Sequence, residues 1–278
     1  MGLVRDKTGR LHIDTPLMAE SLMDKALQES TEMETVFRPL PDLNVVKLGG
    51  QSIIDRGSQV VLPLLHEIVA ARADHQLLVM TGGGTRSRHA YAIALDLRLP
   101  TGVLAKLGAS ISEQNALMLS ILLAPHGGIK IGHDDIVKLP AYMALGSIPV
   151  MHAMPPYGLW EEPAVRGRIP PHRTDSGVFL TAEVVGANRC ILVKDERGLF
   201  TADPKKDPKA DFVPEIEVND LLALDLADLA VERAMLHALA RARSVKEVFI
   251  INGREPGNLT RALMGENPGT RIYRGESL

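Results

Sequence analysis

The chain has 278 residues, 45% hydrophobic and 23% charged, with a formal charge of -3 from 31 basic and 34 acidic side chains. That balance belongs to a globular chain with ample material for a core; it excludes a disordered chain and one whose overall field gathers nucleic acid or anionic lipid. The single cysteine, Cys190, lies in the apolar run CILV, which excludes a disulfide framework and reads as a reduced core thiol.

In chain order, the opening MGLVRDKTGR lacks the apolar core of a signal peptide, and no uninterrupted apolar run reaches the roughly 18 residues of a membrane span. A cytoplasmic protein with no membrane or nucleic-acid partner is expected. Residues 1–42 read as an arm appended to a domain over 43–278. Thr15 as N-cap and Pro16 at the first helical position start a helix whose Leu17, Met18, Leu22, Met23 and Leu27 share one face. That face packs either on its own domain or, the preferred reading, on a neighbouring subunit.

The stretch VVKLGGQS, Val45 to Ser52, organises the rest of the chain. Val45 and Val46 suit a buried strand, and the pair Gly49 and Gly50 at its end lets the backbone approach a ligand closely. Lys47 beside that turn adds a point charge able to neutralise phosphate oxygens. A helix from about Ser58 to Arg72 then turns Val61, Leu64, Leu65 and Ile68 inward, and QLLVM, Gln76 to Met80, makes the next strand, so the two strands are parallel neighbours. This strand ends in TGGGTRSRHA, again glycines, Gly83 and Gly84 among them, at a carboxyl end where open α/β sheets bind ligands. The run is neither a P-loop nor a dinucleotide fingerprint, but Arg86 and Arg88 project near it and could clamp an oxyanion.

Helical segments continue through Ser112–Ala124 and past His133, and the strand SIPVM leads to His152. The loop after it carries Pro155-Pro156 and Pro170-Pro171 with His172 near its far end; such stiff, long loops tend to be functional. Thr174 or Asp175 can cap the helix that runs to about Gly186. A strand through CILVK, a short element at Gly198–Thr201, the turn Asp203-Pro204, a helix from about Leu229 to Arg243, the strand VKEVFIING and a helix after Pro256 complete the domain.

Four separated segments, VVKLGG, TGGGTRSRHA, RTDSGVFLTAEVVGA and VKDERGLFTADPKKDPKA, resemble the amino acid kinase superfamily in order and spacing, and its uridylate-kinase-like branch most closely. The likeness spans about Leu43 to Arg274. It implies a three-layer αβα fold with a mainly parallel sheet of about eight strands, an N-lobe for the acceptor over about 43–188 and a C-lobe for ATP over about 189–278. It also implies that Lys47 meets the transferring phosphate, that Gly49, Gly50, Gly83 and Gly84 supply backbone donors, and that Asp175 orients the lysines or the magnesium shell. Lys194, Phe200, Asp203 and Pro204 fall on the nucleotide side, with Arg86 beside the glycine turn.

Departures from uridylate kinase are informative. GRIPPHRTDSG stands where that enzyme has a Gly-Thr-Gly-Asn type acceptor loop, Arg197 stands where an aspartate is usual, and Phe200 replaces a tyrosine. MPPYGLW, IPPHRTDSG, KLGGQSIIDRG and NGREPGNLTRALMGE are instead similar to the molybdenum-storage group of the superfamily. Its members form hollow hexamers of homologous subunits and use ATP and magnesium to load molybdate or tungstate as polynuclear oxide clusters. Molybdate is a tetrahedral dianion like phosphate, so the same donors suit it. Imidazoles suit oxide clusters, which makes His126, His133, His152 and His172 the candidate metal or oxoanion ligands. A uridylate or other small-acid kinase, and a noncatalytic nucleotide-sensing regulatory subunit, are the alternatives.

Overall fold

The structure is a computed structural model that describes residues 3–13, 36–156 and 167–275. It divides into two compact units, 1–36 and 37–278. In the first, β1 (Leu3–Arg5) pairs antiparallel with β2 (Leu11–Ile13); the arm helix expected over 15–27 lies outside the described residues.

The second unit is built on an eight-stranded sheet. Its strands, in chain order, are β3 (Leu43–Leu48), β4 (Gln76–Thr81), β5 (Gly128–Lys130), β6 (Ile148–His152), β7 (Arg189–Lys194), β10 (Glu215–Glu217), β11 (Glu247–Asn252) and β12 (Thr270–Tyr273). The order across the sheet is β10-β12-β11-β7-β3-β4-β6-β5, with every pairing parallel except that of β11 with β12. The expected mainly parallel sheet of about eight strands is therefore present. A separate two-stranded ribbon, β8 (Leu199–Phe200) with β9 (Phe212–Val213), forms where a short hairpin element is predicted.

The central strands are apolar on both faces because both faces are covered. On β3, Leu43 and Val45 join a core with Phe179, Leu192 and Leu236, while Val46 and Leu48 join one with Leu64, Ile68 and Leu119. The first face is covered by α5 (Thr174–Val185) and α7 (Arg233–Ala240), and the short helices α4 (Leu139–Ala144) and α6 (Val218–Ala223) add Leu139 and Leu221 to its core. The second is covered by α1 (Ser58–Ala71), α3 (Thr101–Leu123) and α8 (Asn258–Leu263). The period-2 alternation of a strand decides the placement that matters for function. Lys47 shares the face of Leu43 and Val45, and Lys194 that of Cys190 and Leu192, so two lysines at the carboxyl ends of adjacent parallel strands turn towards α5.

Helix boundaries differ from expectation in two places. The segment predicted from Ser112 belongs to the 23-residue α3, which begins at Thr101 directly after Pro100, a residue whose fixed φ suits a helix entry. By length and composition α3 could cross a membrane; its contacts, with β5, β6 and its neighbour helix, are those of a core helix. The helix expected over 229–243 is shorter, because residues up to Glu232 line a cavity instead.

Candidate functional site

At the carboxyl ends of β3, β4 and β7 a cavity of about 460 Å3 opens, where a parallel sheet leaves backbone groups free for ligands. Lys47, Gly49, Gly50, Gly83, Gly84, Asp175, Lys194, Phe200, Asp203 and Pro204 all line it. Residues as far apart in the chain as 47 and 204 thus converge on one opening.

The two glycine turns meet backbone to backbone. A Cβ on Gly50 would fall 2.1 Å from the Gly84 nitrogen, so no side chain fits there. Gly84, at φ +73, starts α2 (Gly84–Asp96). Among the described residues the Gly50, Gly83 and Gly84 N–H groups find no protein acceptor. Gly49 differs from expectation: its N–H donates to the Val193 carbonyl at 3.0 Å, so it serves the packing of the turn against β7 and not a ligand.

Behind the glycines sits a charge triad, buried at Lys47 and Asp175 and half-buried at Lys194. Lys47 Nζ donates to Asp175 Oδ1, and Lys194 Nζ lies 3.1 Å from Asp175 Oδ2. Burial alone would raise the Asp175 carboxyl, but the Lys194 and Lys47 ammonium charges and their hydrogen bonds outweigh it and hold the group well below the usual carboxylate range. Burial pulls Lys194 down from its ordinary value against the opposing attraction of Asp175. The triad carries two positive charges against one negative, which leaves one positive charge facing a cavity lined by bare N–H groups. An anion, above all a phosphate chain, is the ligand such a site holds.

The capping of α5 is not as expected. Neither Thr174 nor Asp175 caps it; Arg173 holds the N-cap position without a side-chain capping bond. Glu232, a residue that nothing in the sequence singles out, accepts instead from the N–H groups of Arg173, Asp175 and Ser176 at 2.9, 3.0 and 3.0 Å. The hydroxyl of Ser176 adds a bond at 2.7 Å.

Of the two arginines expected beside the glycine turn, Arg88 lines the cavity and Arg86 does not. The Arg86 guanidinium bonds Gln114 at 3.0 Å and Asn115, and Asn115 in turn donates to the Gly82 carbonyl at 2.6 Å. It braces the glycine turn from behind. Arg88, two positions on and hence on another face of α2, lines the cavity together with the buried Ser87, whose hydroxyl has no partner among the described residues. On the opposite wall Phe200 packs edge to face on Phe212 at 5.6 Å, while Arg197 stacks over Phe212 at 4.0 Å and leaves the cavity to Phe200 and Pro204. Lys205 bonds Asp195 at 3.2 Å and Glu196 at 2.9 Å along the same wall, and Arg56 also pairs with Asp195.

The four candidate histidines do not gather. His133, just after β5, and His152, at the end of β6, contact edge to face at 4.5 Å. His126 precedes β5 and is exposed at the strand's other end, and His172 sits half-buried before α5. No group of three or more His, Cys, Asp or Glu that could hold a metal ion occurs among the described residues.

Burial, reinforced by the neighbouring His133, pushes His152 down to about 4 from 6.5, and its Nδ1 is buried without a partner among the described residues. Between those values the unfolded chain takes up a proton that the folded one refuses, so stability falls as pH drops from about 6.5 to about 4. The loss is at most about 3 kcal/mol. Thermal melts of the parent and of His152→Gln across this window test it: the variant's profile is expected to be flatter, and parallel profiles would remove His152 as the cause.

Residues 42–252 match the amino acid kinase family. The chain is 51% identical over 256 residues to the protein named "Molybdenum storage protein subunit beta" of Azotobacter vinelandii, covering 92% of this chain and 95% of that protein. It is 28% identical to a uridylate kinase of Methanothermobacter thermautotrophicus over 80% of this chain and 95% of that one. Among solved structures, uridylate kinase from Archaeoglobus fulgidus superposes with a TM-score of 0.63 at 23% identity, covering 82% of this chain and 99% of that one. UMP kinase from Bacillus anthracis gives 0.66 at 20% identity, covering 86% and 98%. Both structural matches show the three-layer fold.

Proposed function

The chain belongs to the amino acid kinase family, and from that premise we propose that it is a storage subunit which uses ATP and magnesium to load molybdate or tungstate as polynuclear oxide clusters inside a hexameric cage of like subunits. The observation that carries the reading is identity at half of the aligned positions, over nearly the whole of both chains, to a protein named for molybdenum storage. The cavity suits the reading. Its C-lobe wall of Phe200, Pro204 and Asp203 seats the nucleotide, and Lys47 and Lys194, aligned by Asp175, face the phosphate chain. Arg88 and Ser87 then offer a charge and a hydroxyl to a tetrahedral oxoanion on the acceptor side.

Magnesium, on this reading, arrives with the nucleotide, because Asp175 is taken by two ammonium groups and no protein cage forms among the described residues. The wall carboxylates Asp195, Glu196 and Asp203 are the ones that would hold its water shell; bound there, the ion would neutralise charge on the phosphates. The edge-to-face pair His133 and His152 is the place where imidazoles would meet an oxide cluster; His126 and His172 lie apart from that pair. The arm over 1–42 is assigned to the neighbouring subunit, and the compartment to the cytoplasm.

Acceptor choice tests the function. With ATP and magnesium present, molybdate is expected to stimulate ATP hydrolysis while uridine monophosphate is a poor acceptor, since GRIPPHRTDSG replaces the loop that seats it. Fast phosphorylation of uridine monophosphate would install the kinase reading, and nucleotide binding without turnover the regulatory one.

A further inference from the structure

We propose that Glu232 is a positioning residue, whose carboxylate fills the amino end of α5 and whose grip on Asp175 keeps that carboxylate bridged between Lys47 and Lys194. The proposal rests on the reading that this cavity turns over ATP. A helix start opening on a phosphate-sized cavity is ordinarily a seat for a ligand anion, because its first N–H groups lack partners. Here the seat is filled from within by a side chain only 7% exposed. An incoming anion is left with the lysines and the glycine N–H groups, and the strongest charge in the site stays where the two strands deliver it.

The grip is two-sided. The Asp175 N–H donates to Glu232 Oε1 at 3.0 Å, and the Glu232 N–H donates to Asp175 Oδ2 at 3.3 Å, the same oxygen that meets Lys194 at 3.1 Å. Asp175 cannot change rotamer without leaving both lysines and the Glu232 backbone together. A second observation points the same way: Glu232 stands at the N-cap of α7 but makes no capping bond to that helix. Glutamate is a poor N-cap in any case. Its side chain serves α5, 57 residues back in the chain.

Glu183 supplies a control. It accepts from the N–H groups of Arg243, Ser244 and Val245 at 2.7 to 3.1 Å, a comparable nest that does not line the cavity. Glu232→Gln, Glu232→Asp and Glu183→Gln are compared by melting temperature, by ATP affinity and by molybdate-stimulated ATP hydrolysis. Glu232→Gln is expected to lower kcat by about 10- to 100-fold with ATP affinity within about threefold, the signature of lost alignment and not lost binding. Glu183→Gln is expected to lose melting temperature alone. If Glu232→Gln behaves like Glu183→Gln, with kcat retained, the proposal fails. Should Glu232→Gln not fold, Glu232→Asp decides: a fall in kcat at steady ATP affinity supports the assignment, and an unchanged kcat overturns it.

Competitive acylation of Lys47 and Lys194 across pH, read by mass spectrometry, separates this proposal from the function beneath it. If the parent protein hydrolyses no ATP, the functional reading falls. The positioning role then stands only if the lysine labelling profiles shift in Glu232→Gln and not in Glu183→Gln, and it falls if they do not shift.

Discussion

Lys47→Ala is expected to abolish ATP-dependent turnover, by about 100- to 1000-fold, in a protein that remains folded. Lys47 is 5% exposed and delivers its ammonium from the end of β3 to Asp175, at the border of the cavity and the glycine turns. Its removal leaves Asp175 paired with Lys194 at 3.1 Å, a neutral pair, so no charge is stranded in the interior and the fold survives. The change removes the surplus positive charge that would stabilise a transferring phosphoryl group. Turnover retained in a folded Lys47→Ala protein would break the assignment of this triad.

Asp175→Asn is expected to do two things at once. It takes from the buried Lys47 and the half-buried Lys194 the carboxylate they share, costing about 3 kcal/mol, and it removes the group that aligns them, so turnover is lost as well. For a chain of this size that corresponds to a fall in melting temperature of roughly 6–12 °C. The loss of the Asp175 charge carries a pH signature of its own. Lys194 already sits below its ordinary value, and without Asp175 the folded chain sheds its proton more readily still, whereas the unfolded chain keeps it to about 10.4. The variant's stability should therefore recover relative to the parent as pH rises from 7 towards 10. A deficit independent of pH would show that the lost charge on Asp175 is not its cause.

How much of this is legible in the sequence depends on how local each feature is. Lys47, Gly50, Gly83 and Gly84 lie within a few residues of a strand end, and a β-branched run ending in glycines announces itself. Asp175 is visible as the acid at a helix start, but that position suggests a cap; its partners, 128 and 19 residues away, come from strand register and face parity. Glu232 is not legible at all. In LAVERAML it looks like one more charge on an amphipathic helix, and only packing of α7 beside α5 brings it to the start of the other helix. Arg86 and Arg88 are both visible, but which of them reaches the cavity depends on the helical phase set by Gly84, where α2 begins. The histidines show the same limit: His133 and His152 meet because β5 and β6 are neighbours, a pairing that spacing in the chain does not disclose.

The central claim is cargo storage on a kinase scaffold, and metal content measures it most directly. The protein is incubated with ATP, magnesium and molybdate, passed through gel filtration, and its molybdenum counted per subunit by elemental analysis. Polynuclear oxide clusters accumulate many metal atoms around few ligands, so molybdenum well above one atom per subunit is predicted, dependent on ATP and lost in Lys47→Ala. Molybdenum no higher than on an unrelated control protein, together with rapid phosphorylation of uridine monophosphate, would contradict the account.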